Sequence, residues 1–318
     1  MSAGVAEPVS PARGGLKSLL EAGVADGTVV QQNVSLAELT TLRVGGQADW
    51  FAEPQSQADL SALVSASREH GLPVTALGLG SNFLVLDSGV RGLTVRLSAG
   101  VFAGIEVDGS RLKCGAAARM KKVAAEARRC RLAGMEFLEG IPGSVGGGLR
   151  MNAGAMGSEL FDVVETVRFM DPAGEVFEMS AESIESTYRS CPLLKNQIAL
   201  GAVLKGEPDT GEAIAARMAE YSQKRWGSQP KARSAGCIFK NPEGIPAGKL
   251  VDELGLKGAT EGGAMVSQEH GNFIVNNGDA TAGDILRLID RIRERALGER
   301  GIELQTEVQI IGREDGRV

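Results

Sequence analysis

The chain has 318 residues, 43% hydrophobic and 23% charged, with a net charge of −6. This length exceeds one average domain and predicts two or three compact units. The acidic balance argues against a general affinity for nucleic acid or anionic membrane, so an anionic ligand must be met by local cations. No run of ~18 apolar residues suggests a membrane span.

Residues 1–15 contain no apolar signal-like region and read as a flexible tail. Ser56 and Asp59 stand in capping-box spacing, Leu60, Leu63 and Val64 share a face, and Gly71 ends the run, so a helix is predicted there. Residues 72–78 and 93–97 read as strands around a glycine-containing loop, which predicts a small βαβ-type unit. A second helix is predicted within 116–134, with Met120, Val123, Ala127 and Cys130 on one apolar face. Cys130 therefore reads as core. A DPAG turn predicts a hairpin over 163–179, and GEPDTGE reads as a linker starting at Gly206. The third unit is expected to open with a helix around 213–226. Strands at GAMVS and FIVNNG follow, then a helix from Thr281 to about Leu297, with Thr281 and Asp284 in capping-box spacing. A final strand is predicted over 302–312, where Leu304, Thr306, Val308 and Ile310 alternate with polar residues. Glu307 falls on the polar side, which by itself reads as a solvated carboxylate.

Two glycine-rich stretches stand out. GLGSN at 78–82 follows a predicted strand, but Phe83 replaces the third glycine of a dinucleotide fingerprint. Seven glycines lie between Gly140 and Gly157, with no following GK[ST], so this is not a Walker loop. Either stretch could be a structural turn or a nest of backbone N–H groups for phosphate oxygens. They fall in different predicted units, so a diphosphate could lie between them. The four cysteines, Cys114, Cys130, Cys191 and Cys237, are scattered without CxxC spacing, and there are two histidines. No metal site or disulfide framework is expected, and a reducing cytoplasm fits best. Cys237 is then either a packing residue or a reacting group.

The segments LTTLRVGGQAD, LGLGSNFLVLDSGVRGLTVRL, EFLEGIPGSVGGGLRMNAGAMGSE, YRSC, SAGCIFKNP and TEVQIIG occur in order between Leu39 and Gly312. Together they closely resemble the UDP-N-acetylenolpyruvoylglucosamine reductase (MurB) family. The short interval from Tyr188 to Gln229 is similar to that of its second, loop-lacking subclass. The resemblance implies an α+β, VAO/PCMH-type FAD-binding fold. After a tail and lead-in over 1–38, FAD subdomains would span 39–98 and 99–206, and a substrate domain 207–318.

The resemblance also implies an activity. Non-covalent FAD, reduced by NADPH, would reduce UDP-N-acetylglucosamine enolpyruvate to UDP-N-acetylmuramate by a ping-pong route in peptidoglycan synthesis. Hydride would pass from flavin N5 to C3 and a proton to C2. FAD contacts carry over to Gly80, Ser81 and Asn82, to Gly140, Ile141, Pro142, Gly143 and Ser144, and to Asn152, Ala153 and Gly154. The carboxylate clamp maps to Arg189 and the C-terminal glutamate to Glu307. The proton donor, usually serine, maps to Cys237, a departure toward a more acidic group. Arg225, Gln229, Lys240, Asn241 and, more remotely, His270 match positions near the substrate. The expected partner is this small UDP-sugar, and the expected state a monomer or weak oligomer. Two alternatives stay open: a sugar or alcohol oxidase of the same fold, and a silent flavin-binding module. A catalytic thiol is further expected to be sensitive to alkylation and peroxide.

Overall fold

The computed structural model describes residues 13–25, 27–98 and 100–312, so most of the expected tail lies outside the described residues. The segment expected as a lead-in carries structure. Helix α1 (Arg13–Glu21) buries Leu16 and Leu20, and strand β1 (Val29–Ser35) pairs antiparallel with β2 (Gln47–Glu53). β1 carries no legible period-two pattern because only Val30 of its residues is buried.

Helix α2 (Gln57–Glu69) starts as expected. Ser56 Oγ accepts from Asp59 N–H, and the Asp59 carboxylate accepts from Ser56 N–H. Strands β3 (Val74–Leu77) and β5 (Val90–Arg96) run parallel, in the sheet order β1-β2-β5-β3. The loop between them holds an unpredicted strand, β4 (Phe83–Val85), that leaves this sheet.

The second unit is built on a five-stranded antiparallel sheet. Its strands are β6 (Ile105–Asp108), β7 (Arg111–Gly115), the predicted hairpin β8 (Val164–Met170) and β9 (Val176–Ser180), and β10 (Ile198–Lys205). Their order is β9-β8-β10-β7-β6. Helix α3 (Met120–Arg129) is shorter than expected, but its buried face carries Met120, Val123 and Ala127, and Cys130 packs against the same core. The glycine-rich stretch contains a short helix, α4 (Val145–Met151). A Cβ on Gly148 would come within 2.5 Å of Met120 Cε, so glycine here leaves room for the end of the Met120 side chain.

The division expected after Gly206 is not where packing divides the chain. Helix α5 (Gly211–Trp226) buries Ile214 and Met218 in the core of the second unit, and Glu207–Pro208 pairs with Leu132–Ala133. The linker-like composition is satisfied by the short Glu207–Pro208 pairing and the Thr210 cap, while the apolar face of α5 finds its partner behind it.

The third unit comprises α6 (Ala247–Glu253), β11 (Ala264–Val266), β12 (Ile274–Asn276) and α7 (Ala282–Arg300). The predicted stripe Ile285, Leu288, Ile289, Ile292 and Ala296 is buried, the larger of these side chains contributing about 1.5–3 kcal/mol each. This core also takes Leu42, Val44 and Leu84 from the first unit. The predicted final strand shrinks to β13 (Gln309–Ile311), which pairs parallel with β4. Its alternation fails because 304–308 packs on the helical core instead: Leu304 and Val308 are buried while Ile310 is exposed. Asp87 accepts from Ala282 and Gly283 N–H at 3.0 Å each, so a first-unit carboxylate caps α7.

Asp59 also gathers the chain before β1. It accepts from Ala25 N–H at 2.9 Å and Thr28 Oγ1 at 2.8 Å, besides Ser56 N–H. Burial raises its pKa, and these donors outweigh burial, leaving it below the usual aspartate value. The stability it contributes is therefore complete above ~pH 3.9 and disappears as pH falls through the lower folded value. Asp59→Ala should lower unfolding stability by about 2 kcal/mol at neutral pH. An unchanged urea midpoint would show that the network contributes nothing.

Candidate active site

One cavity of about 370 Å³ opens where the three units meet. Thr41 joins two of its walls: its N–H donates to Gly80 O at 3.1 Å and its Oγ1 to Ser234 O at 2.7 Å. Gly80 has φ +63°, and a Cβ there would lie 2.4 Å from Leu39 O, so the 78–82 loop turns as only glycine permits.

The segment bearing Cys237 leaves Gly236 at φ +77° and runs between two others. On one side Ile238 N–H donates to Asn272 O, and Asn272 clamps Phe239 with its side chain. Oδ1 accepts from Phe239 N–H at 2.8 Å and Nδ2 donates to Phe239 O at 2.7 Å. On the other side Glu307 N–H donates to Ile238 O at 2.8 Å. Asn82 Nδ2 donates to Glu307 O, and Gln309 N–H to Asn82 O. These ties bring the thiol and the Glu307 carboxylate to one wall.

Arg189 reaches the same wall from a turn closed by reciprocal Thr187–Ser190 backbone bonds. Its own φ is +58°, an arrangement costing about 1 kcal/mol for a residue with a side chain. Its Nε donates to Glu307 Oε1 at 3.1 Å, its Nη2 to Gly154 O at 3.0 Å, and its guanidinium lies 4.8 Å over the Tyr188 ring. Glu307 is thus not the solvated edge carboxylate that alternation alone would suggest: its side chain is 17% exposed.

The electrostatics follow from this placement. Burial pushes Glu307 up, and Arg189 and Lys240 pull it part of the way back. Burial pushes the Cys237 thiol up to about 12, with the Glu307 charge adding to it, against opposing pulls from Arg189, Arg225 and Asn272. Burial also lowers the pKa of Arg225.

Of the expected site residues, Gly80, Ser81, Asn82, Ile141–Ser144, Ala153, Gly154, Arg189, Arg225, Gln229, Cys237 and Glu307 line this cavity. Gly140 stands just behind it against Arg225. Asn152 does not line it: its buried side chain joins Glu159 and Phe161 N–H at the end of α4. Lys240 acts on Glu307 only through its charge. Asn241 pairs with Tyr188 Oη at 3.4 Å and Ala247 N–H. His270 packs on Phe273 with Nδ1 accepting from Asn272 N–H, so it supports the wall through these two residues without lining the cavity. The cavity also takes Met120, Met151, Met156 and Phe273, which sequence alone leaves as core or turn residues. Thr41 and Asn272 carry no signal beyond their segments, since their role is to join parts of the chain far apart.

A family model described as an FAD binding domain matches residues 48–180. A second, for the C-terminal domain of UDP-N-acetylenolpyruvoylglucosamine reductase, matches residues 229–311. A UDP-N-acetylenolpyruvoylglucosamine reductase of Paramagnetospirillum magneticum is 45% identical over 87% of this chain and 90% of its own. One from Methylorubrum extorquens is 43% identical over 88% and 91%. The crystal structure of the Thermus caldophilus enzyme (MurB) is 38% identical and superposes with a TM-score of 0.79, covering 90% of this chain and all of its own.

The fold and the cavity are those of an α+β, FAD-dependent oxidoreductase. The chain belongs to the UDP-N-acetylenolpyruvoylglucosamine reductase family. The cavity fits the cofactor. Gly147 faces it bare, with only Ser144 Oγ within 4 Å of where a Cβ would stand. Gln229 Oε1 is buried against it with no hydrogen-bond partner among the described residues. Close-approaching backbone and an unused acceptor suit a flavin dinucleotide.

The thiol's position revises the expected sensitivity to alkylation. A thiol held protonated to about 12 offers little thiolate at neutral pH. Iodoacetamide at pH 7.5 should modify Cys237 at least ~10-fold more slowly than a free cysteine, with the rate climbing as pH passes 9. Mass mapping of the modified peptide checks this, and modification as fast as free cysteine would refute the shift.

Proposed function

We propose that Arg189, Glu307 and Cys237 carry the reduction of UDP-N-acetylglucosamine enolpyruvate to UDP-N-acetylmuramate, a step of peptidoglycan synthesis, with NADPH as reductant. The observation that carries this is their convergence on one wall of the cavity facing the two glycine loops. When bound, reduced FAD supplies the hydride that adds to C3 of the enolpyruvyl group.

The chain's own residues do the rest. Hydride addition leaves negative charge that spreads from C2 into the substrate carboxylate. Arg189 meets that carboxylate with a planar, permanently charged fork, already oriented by Gly154 O and Glu307. Cys237 then delivers its proton to C2. A thiol kept protonated by burial is ready to donate throughout the neutral range, and the thiolate left behind is stabilised by Arg189 and Arg225 before solvent reprotonates it. Glu307, pushed up by burial, shares the proton demand of that wall and holds Arg189 in place. The backbone of the 78–82 and 141–144 loops, with Gln229, holds the dinucleotide, and Arg225 meets substrate negative charge. Lys240 adds positive potential without entering the cavity.

No helix of the described residues is long and apolar enough to cross a membrane. All four cysteines are free, which supports a reducing, cytoplasmic setting, and one chain carries every group invoked here, which supports action as a monomer or weak oligomer.

The purified protein should show a flavin spectrum and oxidise NADPH only when the enolpyruvyl UDP-sugar is present. Rapid NADPH oxidation without that substrate, with O2 reduced to peroxide, would favour an oxidase instead. Cys237→Ser should remain active, whereas Cys237→Ala should slow reoxidation of the reduced enzyme by substrate at least ~100-fold while leaving reduction by NADPH intact. Normal turnover in the alanine variant would remove Cys237 from the role of acid.

A further inference from the structure

An ion-pair cluster behind the cavity takes no part in the chemistry above, yet it ties together two elements that frame the site. Glu136 opens the 3-10 turn Glu136–Gly140, which runs directly into the 141–144 loop. Its carboxylate is only 6% exposed. Oε2 accepts from Gly134 N–H at 2.8 Å, while Oε1 accepts from Arg217 Nε at 2.8 Å and Nη2 at 2.6 Å. Arg217 Nη2 also donates to Asp209 Oδ2 at 2.7 Å, and Asp209 Oδ1 accepts from the N–H of Thr210, the cap of α5. The guanidinium thus joins the turn to the start of α5.

The same two elements meet again at their other ends. Arg217, Tyr221 and Arg225 follow at intervals of four along one side of α5, spanning about 12 Å. Arg225 Cδ lies 3.4 Å from where a Cβ on Gly140 would stand. Ile214 and Met218 already hold α5 on the second unit. Apolar contacts of that kind are non-directional and tolerate small rotations and slides of a helix. A forked, charge-assisted contact does not.

We propose that Glu136 and Arg217 are positioning residues, whose ion pair sets α5 against the Glu136–Gly140 turn and so fixes where Arg225 meets the substrate. The inference rests on the reading of Arg225 as a substrate cation. Without Arg217 the Glu136 carboxylate loses its charged partner and keeps only Gly134 N–H, so no directional contact remains between α5 and the start of the turn.

The test uses flavin-loaded enzyme carrying Arg217→Met, Arg217→Lys, Arg225→Met, and each Arg217 change combined with Arg225→Met. Arg217→Met should raise KM for the enolpyruvyl UDP-sugar about 10-fold with kcat within about 3-fold, and Arg217→Lys should raise it about 3-fold. Flavin content and absorbance should be unchanged. Because Arg217 acts through Arg225, each double variant should have the KM of Arg225→Met alone. Unchanged KM in the Arg217 variants, or effects that multiply in the double variants, would overturn the positioning role while leaving Arg225 in place. An unchanged KM in Arg225→Met would instead remove Arg225 from substrate binding, and the proposal with it. If Arg217→Met fails to fold as a flavoprotein, the Arg217→Lys pair of measurements decides by the same criteria.

Discussion

Arg189 and Glu307 are 118 residues apart in the chain and meet with their side chains 18% and 17% exposed. Neither could be buried alone, since an unpaired ion costs several kcal/mol out of water. Much of the surrounding structure satisfies that requirement. Asn82 grips the backbone of Glu307, the Cys237 segment accepts its N–H, and a turn with a left-handed residue delivers Arg189. The first, second and third units each contribute one of these ties, so the pair closes only when all three are in place.

The same pair shapes the thiol beside it. Cys237 is raised first by burial and then by the carboxylate, while the two arginines pull the other way. The result is a thiol that holds its proton through the neutral range. Its surroundings, more than the ordinary acidity of sulfur, set how firmly that proton is held.

Glycine serves two separate purposes in the cavity wall. At Gly148 it leaves room for the end of the Met120 side chain. At Gly147, one residue earlier, it leaves the wall bare toward the cavity. The composition of the stretch signals close approach without telling which surface is approached, because neighbouring residues on a short helix face different ways.

The helices with capping boxes, α2 and α7, and the DPAG hairpin are legible in the sequence, because caps, turns and periodicity act over a few residues. So is the order of motifs that marks the family and names Arg189, Cys237 and Glu307. β1, β4 and the true extent of the last strand are not, because their pairings join distant segments and their own residues alternate poorly. The attachment of α5 to the second unit is hidden for the same reason: an amphipathic face does not say which core it will meet. By itself the sequence determines which reactive groups the protein owns and in what order. The burial that holds the Cys237 proton, the partner that makes Glu307 more than a surface carboxylate, and the Glu136–Arg217 tie arise only on folding. Desolvation and charge pairing depend on distance in space, and no spacing along the chain encodes them.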